Sequence, residues 1–328
     1  MRASISGIEY FLPDTSITTE DFDIQFPEWS IAKIDSKTGI RKRHIVAPDQ
    51  CASDLAVAAA LRLFETTACD RHGIDFLLLC TQSPDYVLPT TACLLQDRLG
   101  LRTSVGALDF NLGCSGFVYG LGLAEGLISS GQARSILLVT AETYSKYLGD
   151  EDKVSRVLFG DGAAATWVRG IAADEGSFGH FVYGTDGTGG ENLIVTNSGT
   201  RHTGIGERQP LYMNGGRLFD FALTVLPTTV RSLLSKMSLG IDDIELFVFH
   251  QANAYLLDEV RRVLGIPKSK FQITLSHCGN TVSSTIPIAL KHAESEGKVK
   301  QGDRVMLVGF GVGYSWAGTI VRWTGFVK

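Results

Sequence analysis

The 328-residue chain has six cysteines, at 51, 69, 80, 93, 114 and 278, and none of them forms a Cys-x-x-Cys pair. That argues against zinc-ribbon and thioredoxin-like sites, and no metal site is expected. In a chain of this length the thiols read as reduced and intracellular. The opening Met-Arg-Ala-Ser-Ile-Ser-Gly-Ile lacks the apolar run of a signal peptide. No apolar stretch is long enough to span a bilayer. Neither sign of charge is in large surplus: a formal charge of −5 offers nucleic acid or an anionic membrane no bulk reason to bind. These absences lead us to expect a cytoplasmic, soluble protein with no nucleic-acid or membrane partner. With 44% hydrophobic and 20% charged residues the chain suits a globular core. Its length allows one large or two medium domains.

What the chain does have is a glycine-rich segment from Asp109 to Ser130. It reads as a strand end, a tight turn at Gly113, and a helix carrying Gly116, Gly120, Gly122 and Gly126. Each helical glycine costs about 1 kcal/mol relative to alanine. The spacing of small residues predicts that another backbone packs close against the helix. A helix without a polar face is expected to be buried. Cys114 then sits at a buried helix N-terminus, where unpaired N–H groups and the helix dipole favour the nucleophilic thiolate. The competing reading is a buried structural cysteine.

Along the chain, Ser4 to Tyr10 reads as a short strand and Asp21 to Ile40 as a polar, partly helical segment. The basic cluster Arg41-Lys42-Arg43-His44 is either a solvated face or a phosphate contact. Ser53 to Ala68 has helical periodicity, with Ser53 a possible N-cap. Phe76 to Cys80 and Ser135 to Thr140 read as buried strands. Thr91 to Leu99 reads as a helix, Ala107 to Asn111 as a strand, and Phe159 to Val168 as a turn into a strand. Residues 171–215 promise short strands at best, and Leu218 to Lys236 a helix. The second half repeats the first. Ile74-Asp-Phe-Leu-Leu-Leu recurs as Ile244-Glu-Leu-Phe-Val-Phe, and Ile136-Leu-Leu-Val as Val305-Met-Leu-Val, at nearly constant offset. We therefore expect two duplicated halves, residues 1–170 with the cysteine and residues 171–328. When Leu99-Gly-Leu is matched to Leu264-Gly-Ile, Ser115 falls opposite Asn280. Equivalent turns would then carry Cys114 and Asn280 into one cleft.

His250 directly follows the apolar run Leu246 to Phe249. Alone it reads as a structural histidine, and Asn280 alone as an ordinary helix N-cap. Together, Gly-Cys114-Ser-Gly, Phe-His250-Gln-Ala-Asn, Gly-Asn280-Thr and Gly309-Phe-Gly-Val-Gly-Tyr-Ser-Trp316 are specific. With Thr38-Gly-Ile-Arg41, Phe159-Gly-Asp-Gly162, Asp186-Gly-Thr-Gly-Gly190 and Met213 to Phe221, the chain resembles the β-ketoacyl-acyl-carrier-protein synthase III family over nearly its whole length. The resemblance implies an α/β protein with the five-layered αβαβα thiolase fold, a homodimer, and no cofactor beyond acyl-CoA and malonyl thioester substrates. It implies acyl transfer to Cys114, then decarboxylative condensation with a malonyl-type thioester, in fatty-acid or specialised acyl or polyketide biosynthesis. His250 and Asn280 would donate hydrogen bonds to the enolate oxygen, each preorganised donor being worth about 3 kcal/mol. Backbone N–H groups of Cys114 and Gly313 would form the oxyanion hole. Asn253, Phe159, Phe219, Ala222 and Leu88 match positions along the acyl and pantetheine passage. Lys37, Arg41, Lys153 and Arg262 would contact CoA or carrier phosphate.

Three departures from the family pattern matter. Lys33 stands where a tryptophan typically stacks on adenine, and Trp29 lies nearby. Tyr255 and Asp220 replace basic residues used for carrier docking. Leu88 replaces a phenylalanine at the substrate gate across the dimer. Catalytic residues are kept while the partner surface is altered, which points to a specialised enzyme. Two rival readings are acyl transfer to an alcohol, amine or water, and a non-catalytic dimer partner. Both catalytic donors are present, which favours condensation over the first. A complete triad argues against the second. A dinucleotide site at Gly309-Phe-Gly-Val-Gly fails, because position 314 is Tyr and too little chain follows for a βαβ unit.

Overall fold

The computed structural model of the chain describes residues 1–28, 36–172, 178–201 and 209–327. Two sheets organise it. The first has five strands: β1 (Arg2–Phe11), β2 (Phe76–Cys80), β3 (Gly106–Phe110), β4 (Ser135–Glu142) and β5 (Gly162–Ile171), in the order β1-β5-β4-β2-β3. The second has four: β6 (Phe178–Thr185), β7 (Leu246–Phe249), β8 (Arg304–Gly311) and β9 (Ser315–Arg322), in the order β7-β8-β9-β6. Read from the opposite edge, the second sheet follows the order of the first. A parallel bridge between Phe247 and Phe271 stands where the first sheet has β3.

The apolar runs read as buried strands alternate between two cores, because successive side chains on a strand point to opposite faces. Leu77, Leu79, Leu137 and Val139 pack against helices α1 (Ala52–Thr66) and α2 (Thr91–Arg98). Leu78, Ile136 and Leu138 face inward to α3 (Gly116–Ser129) and α6 (Thr285–Ser295), which also meet Val248, Val305 and Leu307 of the second sheet. On the far side Phe247, Phe249, Met306 and Val308 pack against α4 (Gly215–Met237) and α5 (Ala254–Val263). The layers are therefore α1/α2, sheet, α3/α6, sheet and α4/α5. Burial on both faces is what makes these strands continuously apolar.

Several local expectations need correcting. The N-cap of α1 is Cys51, and Ser53 lies inside the first turn, accepting a hydrogen bond from Arg98 at 2.5 Å. The stretch expected to hold only short strands contains β6, eight residues long. Its two glycines weaken the strand signal, and tertiary packing requires them: a Cβ at Gly184 would stand 2.0 Å from the Trp316 ring. The glycines of α3 do not admit another backbone. At Gly116, Gly120 and Gly122 the space is filled by side chains of Cys80, Leu138 and Tyr183, and Gly126 faces open space. The basic cluster is not a uniform solvated face either. Arg43 is fully buried, over the Phe22 ring at 4.8 Å, with a hydrogen bond to the Ile40 carbonyl. Among the described residues no helix is long and apolar enough to cross a membrane.

Candidate active site

Cys114 lies in the turn between β3 and α3, closed by a Gly116 N–H to Gly113 carbonyl bond of 2.8 Å. It is buried, and β8 passes directly behind it. A Cβ at Gly309 would stand 2.7 Å from the Cys114 carbonyl oxygen, and one at Gly311 3.0 Å from its Sγ. Only glycine allows that approach. Gly313 sits in the β8–β9 turn at φ +135°. The neighbouring Ser115 and Ser315 hydroxyls are joined at 2.6 Å, tying the two turns together.

His250 is the first residue past β7, anchored by its N–H to the Val308 carbonyl at 2.9 Å. Its Nδ1 lies 2.8 Å from Thr285 Oγ1, and its ring meets Phe310 edge-on. Burial pushes its pKa down to about 3, against an opposing hydrogen bond to the Val282 carbonyl, so the imidazole is neutral at pH 7. Asn280 is held by its backbone, donating to the Leu158 carbonyl at 2.9 Å and accepting from Gly160 at 3.1 Å. Its Oδ1 accepts from the Val282 N–H at 2.9 Å. Asn280 is thus not the cap of α6, whose N-cap is Ser284. It makes an Asx turn instead, and with Oδ1 engaged the Nδ2 donors remain for other partners. Val282 shares an apolar cluster with Cys114 and Phe159, and Phe159 bridges Asn280. These contacts bring Cys114, His250 and Asn280 to one buried place.

The electrostatics around Cys114 run against the thiolate expected at a helix N-terminus. Burial, and after it the charge of Glu142, push the thiol well above its ordinary value. Desolvation outweighs the helix terminus here because, among the described residues, no cation is set against the sulfur. Glu142 is itself an unanticipated member of the site. It is fully buried at the end of β4 and accepts hydrogen bonds from Gln82 N–H, Ser83 Oγ and Ser283 Oγ at 2.9–3.2 Å. It therefore joins the loop after β2 to the Asn280 segment. Burial raises its pKa to about 8. A carboxylate directly after an apolar strand was the signal that could have revealed it. Thr285 is the other missed residue, hidden among the ordinary hydroxyls of Asn280-Thr-Val-Ser-Ser-Thr285.

The remaining candidates divide. Phe159 is buried beside Cys114 and packs on Tyr144 at 5.2 Å between ring centroids. A cavity of about 180 Å³ adjoins it, lined also by Phe22, Arg43 and Leu148. Phe219 stacks on Tyr255 at 5.7 Å where α4 meets α5. Ala222 is fully buried in the core beneath α4. Asn253 caps α5, its Oδ1 accepting from Leu256 N–H at 2.9 Å. Leu88 is 83% exposed on the loop after β2. Lys37 and Arg41 are exposed; Lys153 is paired with Glu28, and Arg262 with Glu259. Lys33 and Trp29 lie outside the described residues.

Comparison with known proteins shows the family. Family models for the 3-oxoacyl-[acyl-carrier-protein] synthase III match residues 108–187, and for its C-terminal part residues 234–323. The β-ketoacyl-[acyl-carrier-protein] synthase III of Clostridium perfringens is 37% identical over 98% of this chain and 99% of its own length. That of Caldanaerobacter subterraneus is 34% identical over 99% and 98%. A crystal structure of a 3-oxoacyl-(acyl-carrier-protein) synthase III, 47% identical, superposes with a TM-score of 0.95 over 98% of this chain and 100% of that one. A chain so alike in sequence and in the five-layered thiolase fold belongs to the 3-oxoacyl-[acyl-carrier-protein] synthase III family of condensing enzymes.

Proposed function

We propose that Cys114 takes an acyl group from an acyl thioester, and that the acyl-enzyme then condenses with a malonyl-type thioester in fatty-acid or specialised acyl or polyketide biosynthesis. In the first half-reaction the Cys114 sulfur attacks the thioester carbonyl, its proton leaves with the departing thiol, and the oxyanion rests on the N–H groups of Cys114 and Gly313. In the second, the malonyl thioester loses carbon dioxide. The enolate oxygen accepts hydrogen bonds from His250 Nε2 and Asn280 Nδ2. The enolate carbon attacks the acyl carbon, and Cys114 leaves as thiolate and regains a proton.

The observation that carries this reading is the state of the two donors. Asn280 Oδ1 is engaged by Val282 N–H, so the amide offers hydrogens. His250 is neutral. The Thr285 hydroxyl has one hydrogen and two neighbours, the Val282 carbonyl at 3.0 Å and His250 Nδ1 at 2.8 Å. We assign that hydrogen to Nδ1, which puts the imidazole proton on Nε2. Neutral donors stabilise an oxyanion without first having to release a charge.

Phe159, Phe219, Asn253, Ala222 and Leu88 are assigned to the acyl and pantetheine passage, with Ala222 shaping it from the core. Lys37, Arg41, Lys153 and Arg262 are assigned to the phosphates of CoA or the carrier. The chemistry calls for no cofactor. The working unit is a cytoplasmic homodimer of two-half subunits divided near residue 170. Supporting the dimer, β3 is the sheet edge, Leu108 on it is 37% exposed, and Tyr86, Val87 and Leu88 are exposed beside it.

Intact-protein mass spectrometry of the wild type and Cys114→Ala, after incubation with acyl-CoAs of different lengths and then a malonyl thioester, tests the reading. One acyl group on the wild type alone, discharged with release of carbon dioxide, is expected. Discharge without carbon dioxide would favour plain acyl transfer. Labelling that survives Cys114→Ala would end the assignment.

A further inference from the structure

Behind the Asn280 segment, away from Cys114, two histidines and a tyrosine cluster at the surface. His277 lies just before the segment and His292 in the last turn of α6. Their Nε2 atoms are 3.2 Å apart, with the rings tilted by 55°. Tyr10 Oη, from β1, approaches the same His292 Nε2 at 3.1 Å. An imidazole nitrogen carries either one hydrogen or one lone pair. His292 Nε2 therefore cannot bond well to both neighbours. A cation resolves that conflict, because it takes a lone pair from each atom. Two nitrogens about 2.1 Å from one ion, in adjacent coordination positions, lie about 3 Å apart.

The surroundings agree. Burial, then the neighbouring charge of His44 for His277 and of His277 for His292, hold both pKa values below the ordinary histidine range. Glu296, one turn beyond His292, supplies negative charge to both. His277 is exposed and His292 half-buried, so an ion has access.

We propose that His277 and His292 bind one divalent transition-metal ion of the Zn²⁺, Ni²⁺ or Cu²⁺ class through their Nε2 atoms, with Tyr10 Oη and water as the remaining neighbours. Imidazole suits these ions, with Cu²⁺ held most tightly. Among the described residues no three His, Cys, Asp or Glu side chains gather as a metal site. The site is therefore a two-imidazole one and weaker than a structural zinc centre. Its position matters, because residues 277 and 292 flank both Asn280 and Thr285. A bound ion clamps that segment from behind. The proposal is independent of which reaction the cleft performs.

Calorimetric titration of the untagged full chain with Ni²⁺ and with Zn²⁺, alongside thermal unfolding, tests it. We expect one ion per chain and a rise in melting midpoint. Binding should weaken at least tenfold in His277→Ala and in His292→Ala. It should be unchanged in His72→Ala and in Cys93→Ser, which remove exposed ligands elsewhere. Unchanged affinity in both pair variants, loss of binding in Cys93→Ser, or no binding below millimolar ion would overturn the proposal. Circular dichroism checks the fold of each variant, and His292→Gln replaces His292→Ala if the latter unfolds.

Discussion

Thr285 Oγ1 and His250 Nδ1 are 2.8 Å apart in a buried setting, and the Val282 carbonyl lies 3.0 Å from the same hydroxyl, so the direction of one hydroxyl hydrogen is coupled to the tautomer of His250. Removing that hydroxyl frees the ring to carry its proton on Nδ1, where the Val282 carbonyl can accept it. Nε2 would then present a lone pair to the enolate. Thr285→Val should slow condensation about tenfold, about 1.4 kcal/mol, while leaving Cys114 acylation unchanged. Thr285→Ser should restore it. Single-turnover measurement of the two half-reactions separates these outcomes, and equal slowing of both would point to a merely structural role.

Asn280 offers a sharper cut. Asn280→Asp keeps the Oδ1 contact to Val282 N–H but replaces the donor with a second acceptor facing the developing negative charge. Condensation should fall by about 10²–10³, the range for loss of one oxyanion donor. Acyl labelling of Cys114 followed by mass should persist.

The raised Cys114 pKa predicts slow alkylation by iodoacetamide at neutral pH and a rate still climbing above pH 8.5, the ordinary thiol range. Glu142, with a pKa of about 8, is largely uncharged below pH 8. Glu142→Gln should therefore match wild type below pH 8 and react faster above it, where the wild-type carboxylate opposes the thiolate. Identical profiles at every pH would show that the two groups are not coupled.

The same two kinds of buried group should shape stability. His250 has a folded pKa of about 3 against an ordinary value of 6.5. Its contribution is present above pH 6.5 and is lost as pH falls toward 3, because the unfolded chain binds the proton more tightly. Glu142 acts oppositely, since its folded pKa lies above the ordinary 4.5. Its contribution is lost as pH rises from 4.5 through 8. Urea unfolding across this range should show both slopes, and Glu142→Gln should flatten the alkaline one.

At Gly309 an added methyl meets backbone, 2.7 Å from the Cys114 carbonyl oxygen and from Ser115 Cα. Backbone cannot rotate away as a side chain can. Gly309→Ala should cost about 1–3 kcal/mol in urea unfolding and sharply reduce acyl labelling. Gly265→Ala, where no atom lies within 4 Å but φ is +68°, gives a control for strain without a clash.

How much of this was legible beforehand differs by residue. Buried strands such as Phe76–Cys80 were readable because burial on both faces leaves an unbroken apolar run. The internal repeat was readable because equivalent layers need equivalent apolar patterns. Strand β6 was obscured, since Gly179 and Gly184 answer to Met237 and Trp316 across space. Arg43 was misread because its burial under Phe22 depends on a neighbour distant in sequence.

Cys114, His250 and Asn280 could be named from short motifs because each follows a strand end or opens a turn, and local chain chemistry marks such places. Their relation could not. Sequence by itself determined the layer pattern, the repeat and the residue types offered to the cleft. Tertiary structure alone decided that Thr285 stands against His250 Nδ1, that Glu142 stands charge-coupled to Cys114, and that the thiol is held protonated. Hydrogen bonding and desolvation depend on what surrounds an atom in space, and those surroundings come from segments distant along the chain, 35 residues for Thr285 and His250 and 141 for Ser283 and Glu142.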